Sequence, residues 1–326
     1  MLSACTQYKQ DDPVAYTIEQ PAYFGKPNIP AGNPMRAEVV ALGKMLFFDK
    51  QLSRDKTISC ASCHFPEQAF SNAGKSVSTG IDGKAGARNT PALFNLAWAK
   101  VFFWDGGATS LENQAFAPIT SHEEMDFPLK ELEKRLSAIP EYRSQFKVLF
   151  GIDTVYSVNV AMALAQYERT LVSANSKYDQ YILGKTSLTA PELAGLKVFQ
   201  AKCSSCHAGE HFTDRQYYNI GLNGDFADPH LLEDPLWGRQ RITLNSADKD
   251  KYRTPTLRNL AFTGPYMHDG RFTSLNEVLD FFDHGVQKPQ NLSPELVNDI
   301  KLTTEERAAL LDFLETLNDY SFIQSH

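Results

Sequence analysis

Apolar residues recur at helical spacing over several stretches of this chain and almost nowhere at the two-residue period of a strand. Met35 to Phe48 reads as a helix. Lys130 to Leu149 and Thr154 to Val172 carry the same spacing, and in the second of these Val160, Leu164, Tyr167 and Leu171 share one face. Thr189 to Glu192 forms a capping box with Pro191 in the first turn, which starts a helix running past Phe199 towards Cys203. Thr303 to Glu306 repeats that signal before an amphipathic segment with Leu310, Leu311, Phe313, Leu314 and Leu317. Residues 1 to about 25 are polar and are expected to be mobile. Two long stretches, 65–89 and 208–252, show no regular period, and loops of that length usually carry function. The pattern predicts a mostly α protein with long loops and little strand. No apolar run approaches the roughly 18 residues that a membrane span needs.

Composition narrows the picture. The 326 residues suggest two domains, and 42% apolar content is enough to fill two cores. A net charge of −7 argues against a nucleic-acid partner. The five cysteines are the informative residues. Four lie in two copies of Cys-x-x-Cys-His, "CASCH" from Cys60 to His64 and "CSSCH" from Cys203 to His207. Such a unit can attach c-type haem through two thioethers with the histidine on the iron, supply zinc ligands, or work as a redox dithiol. Zinc would want a further Cys or His pair close by, and a thioredoxin-type dithiol would sit near a βαβ pattern. Neither is present. A histidine directly after the second cysteine, twice, points to two covalent haems and so to an oxidising, extracytoplasmic compartment. The fifth cysteine ends "LSAC" at Cys5, which reads either as a lipidation site of a periplasmic lipoprotein or as a stray cysteine.

The repetition extends beyond the cysteines. "TPALFNLAW" at Thr90 returns as "TPTLRNLAF" at Thr254, and "WDGGATSLEN" at Trp104 returns as "HDGRFTSLNE" at His268. Both pairs keep the same offset, and "GKMLFF" and "GLKVFQ" precede the two haem motifs. This predicts internal duplication: two cytochrome c-like haem domains, at 26–184 and 185–326, behind a flexible segment 1–25.

In order and spacing, the two haem motifs with "RNTPALFN", "FFWDGGATSLENQ", "EEM" and "GPYMHDGRF" resemble the bacterial di-haem cytochrome c peroxidases and their MauG-like superfamily, over about Gly43 to Leu317. The resemblance implies a peroxidatic first haem on Cys60, Cys63 and His64, and an electron-transfer second haem on Cys203, Cys206 and His207. It implies Trp104 between the haems, Gln114 in the active site and Glu124 as the catalytic acid–base, for which proton transfer between the peroxide oxygens is the chemical need. It implies Ca²⁺ held by the Asn89 side chain and by the Thr263 and Pro265 carbonyls, and His268 beside a haem propionate.

Two features depart from the pattern. Many relatives close the first haem with a loop histidine, and residues 65–101 contain none. The first haem is therefore expected to be open as made, with His122 the one nearby alternative ligand. At the second haem the family's distal methionine or tyrosine position falls on Phe282, and its first-domain equivalent is Pro118; neither can bind iron. Met267 and His284 are the candidate replacements, and a second open haem is the alternative. The reading is a periplasmic enzyme that reduces hydrogen peroxide with electrons from a small cytochrome c or cupredoxin. Long-range oxidation of a partner protein, a di-haem electron carrier and a peroxide sensor remain as alternatives, and a homodimer stays open.

Overall fold

A computed structural model describes residues 14–72, 74–223 and 237–326. Cys5 lies outside the described residues. The helices are, in order, α1 (Ala37–Phe48), α2 (Leu111–Gln114), α3 (Phe116–Thr120), α4 (Leu129–Ala138), α5 (Pro140–Phe150), α6 (Ser157–Arg169), α7 (Lys177–Ile182), α8 (Ala190–Lys202), α9 (Gln240–Thr243), α10 (Leu260–Thr263), α11 (Leu275–Asp280), α12 (Thr304–Glu315) and α13 (Tyr320–Ser325). The one sheet among the described residues is an antiparallel pair, β1 (Tyr217–Tyr218) and β2 (Tyr252–Arg253), with Tyr217 opposite Arg253. The chain is mostly helical, as its periodicity predicts.

Both capping boxes form. Thr189 accepts from the Glu192 N–H and starts α8; Thr303 does the same with Glu306 for α12. The single helix expected over 130–149 is instead two. Pro140 has no N–H to give the preceding turn, so α4 ends at Ala138 and Pro140 becomes the first residue of α5.

Two helix crossings organise the molecule, and they repeat each other. In the first, α1 lies against α6 at Gly43, where a Cβ would fall 1.9 Å from the Ala163 carbonyl oxygen and 2.9 Å from the Tyr167 Cβ. In the second, α8 lies against α12 at Gly195, with corresponding distances of 1.8 Å to Ala309 and 2.7 Å to Phe313. Only glycine lets backbones approach this closely. Around the first crossing pack Leu42, Leu46, Phe47, Leu132, Phe146 and Leu164; around the second, Phe199, Phe212, Leu310 and Phe313.

The boundary expected near residue 184 is crossed twice. Tyr178 of α7 packs in the second core, and Phe322 of α13 packs in the first. Residues 14–25, expected to be mobile, are also tied down: Ile18 and Phe24 are buried beside Trp98, whose Nε1 donates to the Gly25 carbonyl. Their few apolar side chains are enough to anchor them.

Candidate functional site

The first attachment loop follows α1. The His64 N–H bonds to the Cys60 carbonyl, and the chain then doubles back through Ala69 and Phe70, both at positive φ (51° and 57°). This brings the Phe70 carbonyl 2.8 Å from His64 Nδ1. A carbonyl only accepts, so Nδ1 carries the proton and Nε2 keeps its lone pair, the tautomer an axial ligand needs. The second loop makes the same arrangement, with His207 Nδ1 donating to the Phe212 carbonyl at 3.2 Å. Burial lowers His64 to about 4 and lowers His207 too, so both rings are neutral. The four motif cysteines are unpaired thiols, and burial raises all four. Each loop thus offers two thiols and one pre-oriented imidazole, a donor set that fits c-type haem.

At the second loop a large apolar cavity opens beside these groups. Cys203, Cys206 and His207 line it, and so do Met267 and Phe282. Met267 holds a left-handed φ of 75°, which is rare for a side chain of its size and is met mainly where function requires it. His284 is not brought to this cavity. Its side chain is 66% exposed on the turn after α11, 3.7 Å from Asp283. Of the two candidate distal ligands, Met267 lines this cavity and His284 does not.

At the first loop Glu124 sits in the 121–126 turn, held down by its own N–H to Ser121 and by the Ile81 N–H on its carbonyl. Gly80 lies directly beneath: a Cβ there would fall 1.9 Å from the Glu123 carbonyl and 2.7 Å from the Glu124 Cα. The Glu124 carboxyl is pushed up to about 7, by desolvation first and the Glu123 charge second. By surface area Glu124 is exposed, so water reaches it. Its charge acts on both Cys60 and Cys63, so the carboxyl lies in the neighbourhood of the first attachment loop. Gln114 ends α2, half-buried, with a side-chain amide that makes no hydrogen bond among the described residues. His122 points away: its ring is 85% exposed and paired with Asp126.

Trp104 donates from Nε1 to the Asn89 carbonyl at 2.8 Å, and its own carbonyl accepts from the Arg253 N–H. This joins the first-domain loop to β2. Trp104, Asn89, Thr263, Pro265 and His268 all line the second cavity. The Asn89 amide nitrogen donates to the Ser76 carbonyl, which leaves its oxygen as the atom for a cation. The oxygen-only set of Asn89, Thr263 and Pro265 fits Ca²⁺. His268 is buried, stacks on Tyr252 at 3.6 Å, and has no hydrogen-bond partner at Nε2.

Two charged residues escaped the sequence reading. Asp105, fully buried next to Trp104, is held by Arg88 at 2.7 Å and Arg241 at 2.9 Å, and so fixes the tryptophan loop. Its place inside the repeated "WDGG" and "HDGR" strings was the available signal. Glu168, 4% exposed in α6, is pushed up to about 8, chiefly by burial. Nothing in its helical context marks it.

Two ligand-ready imidazoles, each beside a thiol pair, define a c-type haem protein. Residues 37–187 match the family model for di-haem cytochrome c peroxidase. The chain is 38% identical over 299 residues to the methylamine utilization protein MauG of Methylorubrum extorquens, across 88% of this chain and 80% of that one. It is 36% identical over 320 residues to the cytochrome-c peroxidase IdrP1 of a Pseudomonas species, across 89% and 83%. A solved MauG-like protein associated with microbial copper homeostasis superposes with a TM-score of 0.86 at 32% identity, over 95% of this chain and 97% of that one. The chain belongs to the di-haem cytochrome c peroxidase family, and as such is a peroxidase with two c-type haems.

Proposed function

We propose that the first loop carries the peroxidatic haem and that Glu124 is its proton carrier. Bound haem iron supplies the centre at which the peroxide O–O bond breaks and to which electrons are delivered. His64, its Nδ1 fixed by Phe70, holds that iron from one side. Glu124 removes the proton from the nearer peroxide oxygen and gives it to the farther one, which leaves as water. Two electrons and two further protons then balance the reduction to two water molecules. Gln114 orients the peroxide through its free amide. With no loop histidine between residues 65 and 101 and His122 turned outward, this site needs no prior reduction to open.

Electrons enter at the second haem, on Cys203, Cys206 and His207, from a small periplasmic cytochrome c or cupredoxin, and pass by Trp104. Met267 would supply a further ligand to that haem, and the oxygens of Asn89, Thr263 and Pro265 would hold a Ca²⁺. The observation that carries this reading is the Glu124 carboxyl, raised and exposed, near enough to the first loop for its charge to act on Cys60 and Cys63. Steady-state peroxide turnover of E124Q with reduced cytochrome c tests it. Wild-type rates in that variant would remove Glu124 from the chemistry.

The relative named for methylamine utilization supports a second reading, oxidation of a partner protein at long range. Phe282 lacks the hydroxyl that the resemblance would require at the second haem. Donor-dependent peroxide turnover with no oxidation of added proteins separates the two.

A further inference from the structure

His211 is the least explained polar residue in the molecule. It is 5% exposed, between Phe24 at 4.6 Å and Trp98 at 5.3 Å, and neither ring nitrogen has a hydrogen-bond partner. The charged groups around it are Glu210, Arg215, Arg258 and Asp179. The nearest carboxylate oxygen, on Glu210, is 3.7 Å from Nε2, beyond hydrogen-bonding reach. Arg258 is fully engaged, with two bonds to Asp179 at 2.8 and 2.9 Å and further bonds to the Glu210 carbonyl.

Two other cations share the wall of the second cavity with His211. The Arg215 side chain makes no hydrogen bond among the described residues, and Arg253 reaches only the Phe103 and Thr254 carbonyls, at 3.2 and 3.4 Å. Burial lowers both guanidiniums. His211 is a buried N–H donor with no partner, and Arg215 and Arg253 are half-buried cations with no carboxylate in salt-bridge range, although the Glu210 charge acts on Arg215; an anion would complete them.

The turn itself does not require a histidine. In the first loop the residue before the carbonyl that fixes the imidazole is Ala69, also buried, and the turn forms equally well. His211 is therefore an addition specific to the second cavity.

We infer that His211, Arg215 and Arg253 form a carboxylate-binding subsite of this cavity, filled by a propionate of the second haem. The inference rests on the reading that a haem is attached at Cys203 and Cys206. The propionate accepts from the imidazole N–H and neutralises the two guanidiniums. Its negative charge is thereby offset, which favours the reduced iron. His211 acts as a positioning residue that sets the potential of the second haem, with no role at the first.

The test is H211F, which keeps the ring between Phe24 and Trp98 but removes the N–H. The loaded protein is read by spectroelectrochemistry and by the haem-propionate bending bands in resonance Raman. The expected result is two haems per chain, a more negative midpoint for the second haem, a shifted propionate band and an unchanged first midpoint. H211Q, which keeps an N–H, should return towards the wild type in both readouts. A second-haem midpoint and propionate band identical to wild type in H211F would overturn the proposal. Should H211F fail to load the second haem, H211A, carrying the residue found in the first loop, is read in the same way. Wild-type protein with a single haem by pyridine haemochrome would sink the cofactor reading itself, a distinct outcome.

Discussion

The two haem-attachment loops hold their histidines alike and differ in what surrounds them. Phe70 and Phe212 present the same carbonyl to His64 and His207, and both loops follow a helix whose glycine touches a carbonyl of the domain's closing helix. On the opposite side the likeness ends. The first site faces Glu124, a raised and open carboxyl; the second faces Met267 and Phe282. Around the rim, Glu168 in α6 has Leu314 as its counterpart in α12, and Ala69 has His211. The scaffold that grips the iron is kept, and the reactivity is written into the far face and the rim. On the function proposed above, one copy is equipped for protons and the other for electrons.

The sharpest way to break this contrast is E124Q. Loss of a positioned general acid–base should reduce peroxide turnover by about 10²–10⁴-fold while both haems stay attached, measured by steady-state kinetics and the Soret band. In the wild type, kcat/KM for peroxide should rise with pH through about 7 as Glu124 ionises and becomes able to accept a proton; E124Q should lose that limb.

G80A comes next. Its Cβ has no room under Glu123 and Glu124, so the carboxyl must move, and a displacement of about 1 Å can cost up to ~100-fold in rate. The variant should still take up both haems. A normal rate would mean that the placement of the 121–126 turn does not matter.

M267L addresses the other side. If Met267 ligates the second iron, the substitution turns that haem from low-spin to high-spin by electron paramagnetic resonance and slows donor-dependent turnover only several-fold. Unchanged low-spin signals would assign the sixth position to another group.

E168Q should affect turnover least and stability most visibly. An acid raised from 4.5 to about 8 in the folded state destabilises the fold as it ionises, beginning above pH 4.5 and reaching its full extent above about pH 8. The neutral amide should therefore gain thermal stability over wild type increasingly across that window, by a few kcal/mol at most. A gain that is flat with pH would show that Glu168 is not titrating.

Much of this was legible in the residues. Cys60, Cys63, His64, Cys203, Cys206 and His207 were fixed by spacing alone, because thioether attachment demands that order. The capping boxes at Thr189 and Thr303 announced α8 and α12, since a cap is a local interaction. Pro140 should have split the helix over 130–149, and periodicity alone hid it. Asp105 was marked only by its repeated string, and His211 and Glu168 were invisible for a physical reason: burial and missing partners are set by the tertiary fold. Met267 and His284 could not be separated from the string; only the tertiary fold shows that Met267 lines the cavity while His284 faces solvent.

The placement of α13 has a consequence for the first attachment loop. Phe322 closes over Phe70 and Phe94, and His326 rests on the Phe70 ring, so α13 backs the turn whose carbonyl holds His64. Trimming the Phe322 ring would loosen the anchor of an imidazole that lies far from it along the chain.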